Sequence, residues 1–420
     1  MKIRECVNKI LGREIFDSRG VPTVEVEIYM KEIVVRSSCP SGASTGSQEA
    51  LELRDGGEVC KGKGVAKALK SVNEIVSFLF SSDIDLRNQR EIDEALCKID
   101  GTENKSRLGA NAILPISVGF ALLGGAVAKV PPWLYVSRLT GEEIAAKIPK
   151  LFFNVINGGA HSGNGLFVQE VMVSFEGEQV VEILRKASTF ILSLKEIVRE
   201  KYGNVGVGDE GGFAPPVKSL EEALELIKEG EKRSGLAPKI ALDAAASEFY
   251  MGDGKYNVGW KSSEEVVSRE ELSAYYKKVS GKYGISIIED PFAEKDYEGW
   301  SAFMKEAESA GMEVVGDDLI VTNKKLIREA GQKRWCNVAL IKMNQIGTVT
   351  ETLDAVKEAR AQGMKIMASH RSGETEDTFL AHLAVGIGAD YLKAGSLCRS
   401  ERVCKYNELI RIFDKLRERN

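Results

Sequence analysis

Six apolar runs in the second half of this chain each end in a residue that can do chemistry. The runs are Ile240–Leu242, Ile285–Ile288, Val314–Gly316, Ala339–Ile341, Lys365–Ala368 and Tyr391–Leu392. The residues that close them are Asp243, Glu289, Asp317, Lys342, Ser369-His370 and Lys393. Carboxylates converging at one point repel one another unless a cation holds them, and hard oxygen ligands suit Mg²⁺. Any single one could instead cap a following helix, a reading that weakens for three in succession. A lysine works as a base near neutrality only if its pKa falls, and here metal ions and the second lysine would lower it. Both lysines have flanks unlike those of a solvated surface charge: Ala339-Leu-Ile341 precedes Lys342, and Ala394-Gly395-Ser396 follows Lys393.

Further candidates lie on loops. Glu210 sits among glycines in Gly208-Asp-Glu-Gly-Gly-Phe-Ala214, where the backbone can approach a ligand closely. It could act as a general acid with a raised pKa, although a turn residue is the commoner use of such a position. Gln169 and Glu170 start another apolar run. Of the three histidines, His161 lies in the loop between the first two strands and His370 ends the seventh, both at the predicted mouth, while His382 lies in a helical segment and reads as structural. Arg371 and Ser372 follow His370 directly, and an arginine beside a hydroxyl is a good phosphate grip. Together these residues describe a Mg²⁺-dependent enzyme with a lysine base, a carboxylate acid and a phosphorylated acidic substrate. Neither a P-loop nor a G-x-G-x-x-G stretch is present.

These residues need a scaffold that brings strand ends together. Two more runs, Phe152–Ile156 and Val168–Val173, bring the strands to eight, with helical segments between most of them. Strands alternating with helices predict a parallel (β/α)₈ barrel whose chemistry sits at the C-terminal strand ends. The first connection, Asn157-Gly-Gly-Ala-His-Ser-Gly-Asn-Gly165, is too short for a parallel crossover, so the second strand should run antiparallel. Its beginning, Gln169-Glu170, then faces the catalytic mouth. Two helices, Gln179–Tyr202 and Ser219–Ser234, fit between strands two and three, giving the order ββαα(βα)₆.

The preceding part reads as α+β. Strands within Arg13–Met30 turn at Asp17-Ser-Arg-Gly-Val-Pro22, Ile33–Ser37 adds a third, and helical patterns fill most of Gly64–Ala128. The expected domains are an α+β cap over residues 1–135, with a mobile loop at 40–46, and a barrel over 136–420. Val136–Pro149 reads as the joint.

Composition narrows the partners. The 420 residues are 43 % hydrophobic with a net charge of −5, which disfavours a disordered chain, a dedicated nucleic-acid binder or an anionic-membrane binder. Seven cysteines without a C-x-x-C pair disfavour a disulfide framework or structural zinc and suggest a reducing, cytoplasmic setting. No signal peptide opens the chain, since charges interrupt its first residues. Leu108–Ala128 is uncharged and long enough to span a bilayer, but its Asn111, Pro115, Ser117 and glycines favour a buried helix.

From about Arg13 to Arg411 the sequence resembles the enolase family. The stretches that carry the resemblance are Arg13-Glu-Ile-Phe-Asp-Ser-Arg-Gly20, Pro40-Ser-Gly-Ala-Ser-Thr-Gly46, Glu49-Ala-Leu-Glu-Leu-Arg-Asp55 and Asp100-Gly-Thr-Glu-Asn-Lys-Ser106. Further along are Gly208-Asp-Glu-Gly-Gly-Phe-Ala-Pro215, Ile288-Glu-Asp-Pro291, Gly316-Asp-Asp-Leu319, Leu340-Ile-Lys-Met-Asn-Gln345 and Ser369-His-Arg-Ser-Gly-Glu-Thr-Glu-Asp377. The resemblance implies reversible dehydration of 2-phosphoglycerate to phosphoenolpyruvate. A lysine base with Mg²⁺ is an established pattern of that superfamily. It implies Lys342 as base and Glu210 as acid, with a first Mg²⁺ on Asp243, Glu289 and Asp317. A second Mg²⁺ would take Ser44 as a protein ligand. Lys393 would add charge at the substrate carboxylate, Arg371, Ser372 and His370 would hold the phosphate, and His161, Gln169 and Glu170 would line the leaving-group side. The family also implies a homodimer, or an octamer built of dimers.

Some positions depart from the family pattern: Cys39, Ala160, Gly165-Leu-Phe-Val168, Val171, Pro115, Ala394 and His382. None removes an expected catalytic side chain; those around His161 and Glu170 bear on loop packing. Two other readings stand beside the main one. A racemase or cycloisomerase of the same superfamily should lack the Arg371-Ser372 grip and the Gly208–Phe213 loop. A non-catalytic binding protein should show losses among Glu210, Lys342 and the metal ligands. A secondary role in binding RNA or surface proteins would leave no mark in the sequence.

Overall fold

A computed structural model describes residues 1–43, 46–141, 146–261 and 263–418. Strands β1 (Lys9–Phe16), β2 (Pro22–Met30) and β3 (Ile33–Ser38) form an antiparallel sheet in that order. Alternation along β2 separates two faces. Val24, Val26 and Ile28 are fully buried in the cap core. Glu25 and Glu27 face the other way and pair with Arg13 and Arg36. The β1–β2 turn is closed by Asp17, whose Oδ1 accepts from the backbone N–H of Arg19 at 2.8 Å and of Val21 at 2.9 Å.

The uncharged stretch forms the helix Ala110–Val127, which packs on β2 and β3. It is the one helix among the described residues long and apolar enough to cross a membrane, and 83 % of it is buried inside the protein. The helix runs straight through Pro115. Proline removes one hydrogen bond and crowds the preceding turn, but burial on nearly every side outweighs that cost here. Pro131-Pro132 ends one helix and starts another: Pro132 is the first residue of the helix Pro132–Leu139, where a missing N–H costs nothing. That helix spans the expected boundary at 135/136 and packs against the helix Phe379–Gly386 of the second domain. The expected joint at Val136–Pro149 thus begins within a helix.

The second domain is a closed eight-stranded barrel. Its strands are β4 (Lys150–Asn157), β5 (Glu170–Ser174), β6 (Lys239–Asp243), β10 (Ile285–Glu289), β11 (Glu313–Gly316), β12 (Val338–Ile341), β13 (Lys365–Ser369) and β14 (Tyr391–Lys393). β5 is antiparallel to both β4 and β6, and the other neighbours are parallel. The short connection forces this reversal. It packs so tightly that a Cβ on Gly158 would lie 2.3 Å from the Val168 carbonyl oxygen. Helices Val180–Tyr202 and Leu220–Ser234 fill the β5–β6 connection, completing ββαα(βα)₆. The apolar Leu166, Phe167 and Val168 are buried, and the Phe167 ring meets Phe249 edge-on at 5.2 Å. Unanticipated from the sequence are β7 (Tyr250–Gly252), β8 (Lys255–Asn257) and β9 (Val266–Ser268), a small sheet between β6 and the helix Arg269–Tyr283.

Phe152, Met172, Ala241, Ile287, Val315, Val338, Leu340, Met367 and Tyr391 fill the barrel interior, so the lumen is a packed core rather than a channel. Polar chemistry is thereby confined to the rim. There Asp243 sits in register with Glu289 on one side and with Glu170 on the other, and Ser369 sits in register with Lys393. All seven cysteines are free.

Candidate active site

The rim is held together by charge. Lys393 Nζ lies 2.7 Å from Asp243 Oδ2, 2.7 Å from Glu289 Oε2 and 3.2 Å from Glu170 Oε1. Lys342 is ion-paired with Asp317 Oδ2, and the other Asp317 oxygen accepts from Gln345 Nε2 at 2.8 Å. All of these carboxylates and Lys393 are buried. Burial, then the charge of Asp243, raises Glu289 to about 8, with Lys393 working against both.

Among the protein's own groups, the balance at Lys342 is upward. Burial pulls it down, but the Asp317 and Glu289 carboxylates together outweigh burial. Burial likewise pushes Asp317 up, and Lys342 with Arg371 and Lys393 more than reverses it. The reason is geometric: Lys393 is engaged by Asp243 and Glu289, so the charge closest to Lys342 is an anion.

The opposite wall carries Glu210. The loop 208–214 joins the two long helices, and its glycines press it onto the barrel. A Cβ on Gly212 would lie 2.5 Å from Asn154 Oδ1, and one on Gly211, at φ +86°, would lie 2.6 Å from the Cys398 carbonyl oxygen. Glu210 Oε2 accepts from Asn154 Nδ2 at 2.9 Å. Its Oε1 lies 3.4 Å from His370 Nε2 and 3.6 Å from His161 Nδ1, which is 3.9 Å from Glu170 Oε1. Burial, then the neighbouring Glu210 charge, raises Glu170 well above the usual range. Burial also pushes Glu210 upward, but its closeness to His370, His161 and Arg402 turns the net direction downward, against the raised pKa expected of an acid. Burial lowers both imidazoles, His370 to about 4.

Arg371 and Ser372 close the third side. Arg371, just past β13, donates to Glu49 at 2.8 and 3.2 Å and to Asn344 Oδ1 at 3.2 Å. Ser372 Oγ accepts from the Ala43 N–H at 2.6 Å and from Arg19 at 3.4 Å. The cap loop is stitched to the same turn, since Ser41 and Gly373 exchange backbone hydrogen bonds at 2.8 Å. Ser44, expected as a ligand of a second cation, lies outside the described residues.

His161, Gln169, Glu170, Glu210, Asp243, Asp317, Lys342, His370, Arg371, Ser372 and Lys393 thus line one pocket, with Gly42 of the cap at its edge. Glu289 joins them through Lys393. His382 stands apart, 3.3 Å from Glu408 in a separate cleft with Trp133 and Arg411, in keeping with a structural role.

Residue chemistry alone did not point to Glu49, Arg19, Asn154, Gln345 or Arg402, because none closes a strand. Arg19 and Glu49 lie within the family-like stretches; Arg402 carried no signal at all. The expected carboxylate trio is bridged by lysines, while two tighter acidic groupings occur nearby, His161–Glu170–Glu210 and Asp290–Asp317–Asp318. In the latter, Asp290 is occupied by the N–H groups of Asp317 at 2.8 Å and Asp318 at 2.9 Å.

Asp243, Glu289 and Asp317 fit a divalent cation by chemistry: they offer only carboxylate oxygens, and Glu289 Oε1 is buried without a hydrogen-bond partner among the described residues. Comparison with known protein families gives two matches: the enolase C-terminal TIM barrel domain over residues 145–420 and the enolase N-terminal domain over residues 7–136.

Proposed function

Since the chain belongs to the enolase family, we propose that it catalyses the reversible, Mg²⁺-dependent dehydration of 2-phospho-D-glycerate to phosphoenolpyruvate. The observation that carries this reading is the shared pocket of Lys342, Glu210 and the Arg371–Ser372 pair, beside the buried acids of the rim.

Arg371 and Ser372 hold the phosphate, with His370 alongside; the guanidinium exchanges its partner Glu49 for the ligand. Lys342 Nζ takes the proton from the carbon next to the substrate carboxylate. That proton is weakly acidic, because its loss adds negative charge beside an anion. Lys393 fixes one positive charge where the new charge develops. Asp243, Glu289 and Asp317 would hold a Mg²⁺ ion, which would supply further positive charge at the substrate carboxylate. A second Mg²⁺ would need Ser44.

Glu210 delivers a proton to the departing hydroxyl, which leaves as water. Its neighbour Glu170, raised by burial, holds a proton more readily than an ordinary carboxylate and lies on the same side of the pocket. His161 and Gln169 line that side. The segment Ser41–Ala43 closes over the pocket and limits water entry.

We extend the proposal to a cytoplasmic homodimer, or an octamer of dimers; the free cysteines are in keeping with a reducing compartment. The test is ultraviolet detection of phosphoenolpyruvate from 2-phosphoglycerate, with Mg²⁺ and with chelator. Turnover only with Mg²⁺ supports the reading, and absence of turnover by folded protein removes it.

A further inference from the structure

We propose that Arg402 is a positioning residue: it fixes the tautomer of His370 and so aims an imidazole N–H at Glu210. Arg402 lies in the first turn of the helix Ser400–Arg417 and is fully buried. Its Nη1 lies 2.6 Å from His370 Nδ1 and 2.6 Å from the Arg371 carbonyl oxygen. A guanidinium has donors and no acceptor, so His370 Nδ1 must accept. The single hydrogen of the neutral ring is then on Nε2. That atom is buried without a hydrogen-bond partner among the described residues, and its nearest carboxylate oxygen, Glu210 Oε1, lies 3.4 Å away.

A protonated imidazole would turn a second donor toward the guanidinium, so the contact also disfavours the charged ring. The charged groups facing His370 are Glu210, Arg402 and Glu374. Burial lowers its pKa most, Glu210 opposes that, and Arg402 adds to it.

The second arm of the guanidinium ties distant segments together. Nη2 donates to the Ser372 carbonyl, to the Asp209 carbonyl at 3.0 Å and to Ser18 Oγ at 3.3 Å. One side chain therefore spans the phosphate turn, the loop of the acid and the first turn of the cap. Gly395, at φ +80°, makes room for it. A Cβ there would lie 2.8 Å from Arg402 Cδ and 2.9 Å from the Glu210 carbonyl oxygen. Arg402 thus sets the spacing between the grip and the acid without touching substrate.

The kinetic part of this inference rests on the proposed dehydration; the tautomer does not. The experiment is ¹⁵N-histidine NMR of the full chain, whose three histidines are assigned with single His→Gln variants. In wild type at neutral pH, His370 is expected to show a protonated Nε2 and an unprotonated Nδ1. Arg402→Lys, which keeps a donor, should retain that pattern. Arg402→Met should give mixed tautomers and a titration nearer the ordinary value of about 6.5. Its kcat for dehydration should fall on the order of 10²-fold, with a smaller change in KM. A hydrogen on Nδ1 of His370 in wild type would overturn the inference, and so would an unchanged His370 spectrum in folded Arg402→Met. The wild-type spectrum decides alone if the Met variant does not fold. The expected spectrum in a protein without turnover would uphold the positioning and remove the dehydration reading.

Discussion

Lys342, of intermediate exposure, forms an ion pair with the buried Asp317 at adjacent strand ends of the barrel, so the proposed base and a proposed cation ligand neutralise each other. An ion pair of this kind is destabilised strongly when one partner is removed, because the other remains buried and charged.

The first prediction follows from that pairing. Lys342→Ala should lower stability without metal by about 3–5 kcal/mol. Mg²⁺ should restore much of it, since a cation gives Asp317 a new partner. In wild type, Mg²⁺ at 100 times its dissociation constant should add about 2.7 kcal/mol. Glu289→Gln should weaken that effect. Denaturant unfolding with Mg²⁺ and with chelator measures all three, and equal curves in the two conditions would count against a cation site.

Arg371 is held in a forked contact by Glu49, whose carboxylate occupies the guanidinium much as a phosphate would. Arg371→Lys keeps the charge and loses the fork. We expect KM for 2-phosphoglycerate to rise by at least tenfold, while folding is retained. Steady-state kinetics checks this. An unchanged KM would place the phosphate elsewhere.

The pH dependence has a definite sign. His370 is lowered to about 4 in the folded protein, against about 6.5 unfolded. Between those values the unfolded chain binds the extra proton, so this group's contribution is fully present above pH 6.5 and is lost as pH falls toward 4. From pH 6.5 to 5 the loss is about 2 kcal/mol. Buried acids such as Glu170 and Asp290 are raised and work in the opposite direction. The comparison must therefore be between wild type and His370→Gln. The stability gap between them should shrink by that amount over this range, as read from urea titrations at both pH values. A constant gap would mean that His370 is not held neutral.

The barrel was readable because each strand is a short apolar run closed by a polar residue. The reversal of β5 followed from a connection too short for a crossover, and with it the placement of Glu170 opposite Asp243. The three-residue strands β7, β8 and β9 were missed because alternation cannot be seen over so short a span. The helix Pro132–Leu139 runs into the expected joint at Val136–Pro149, and Pro132 suits its first helical position.

Within the site, residue types at strand ends were readable and their pairings were not. Which lysine meets which carboxylate depends on where strands lie around a closed ring. The raised pKa of Lys342 followed from that pairing. Glu49 and Arg402 reach the site from segments remote in sequence from Arg371 and Asp209, and only folding brings them together.

The central claim divides the chemistry between Lys342 as base and Glu210 as acid. Exchange of the substrate's C2 hydrogen with solvent deuterium, followed by proton NMR in Mg²⁺, separates the two roles. The account predicts that Glu210→Gln still exchanges that hydrogen while dehydration falls about 10²–10⁴-fold. Lys342→Ala should lose both exchange and dehydration. Continued exchange by folded Lys342→Ala would contradict the account.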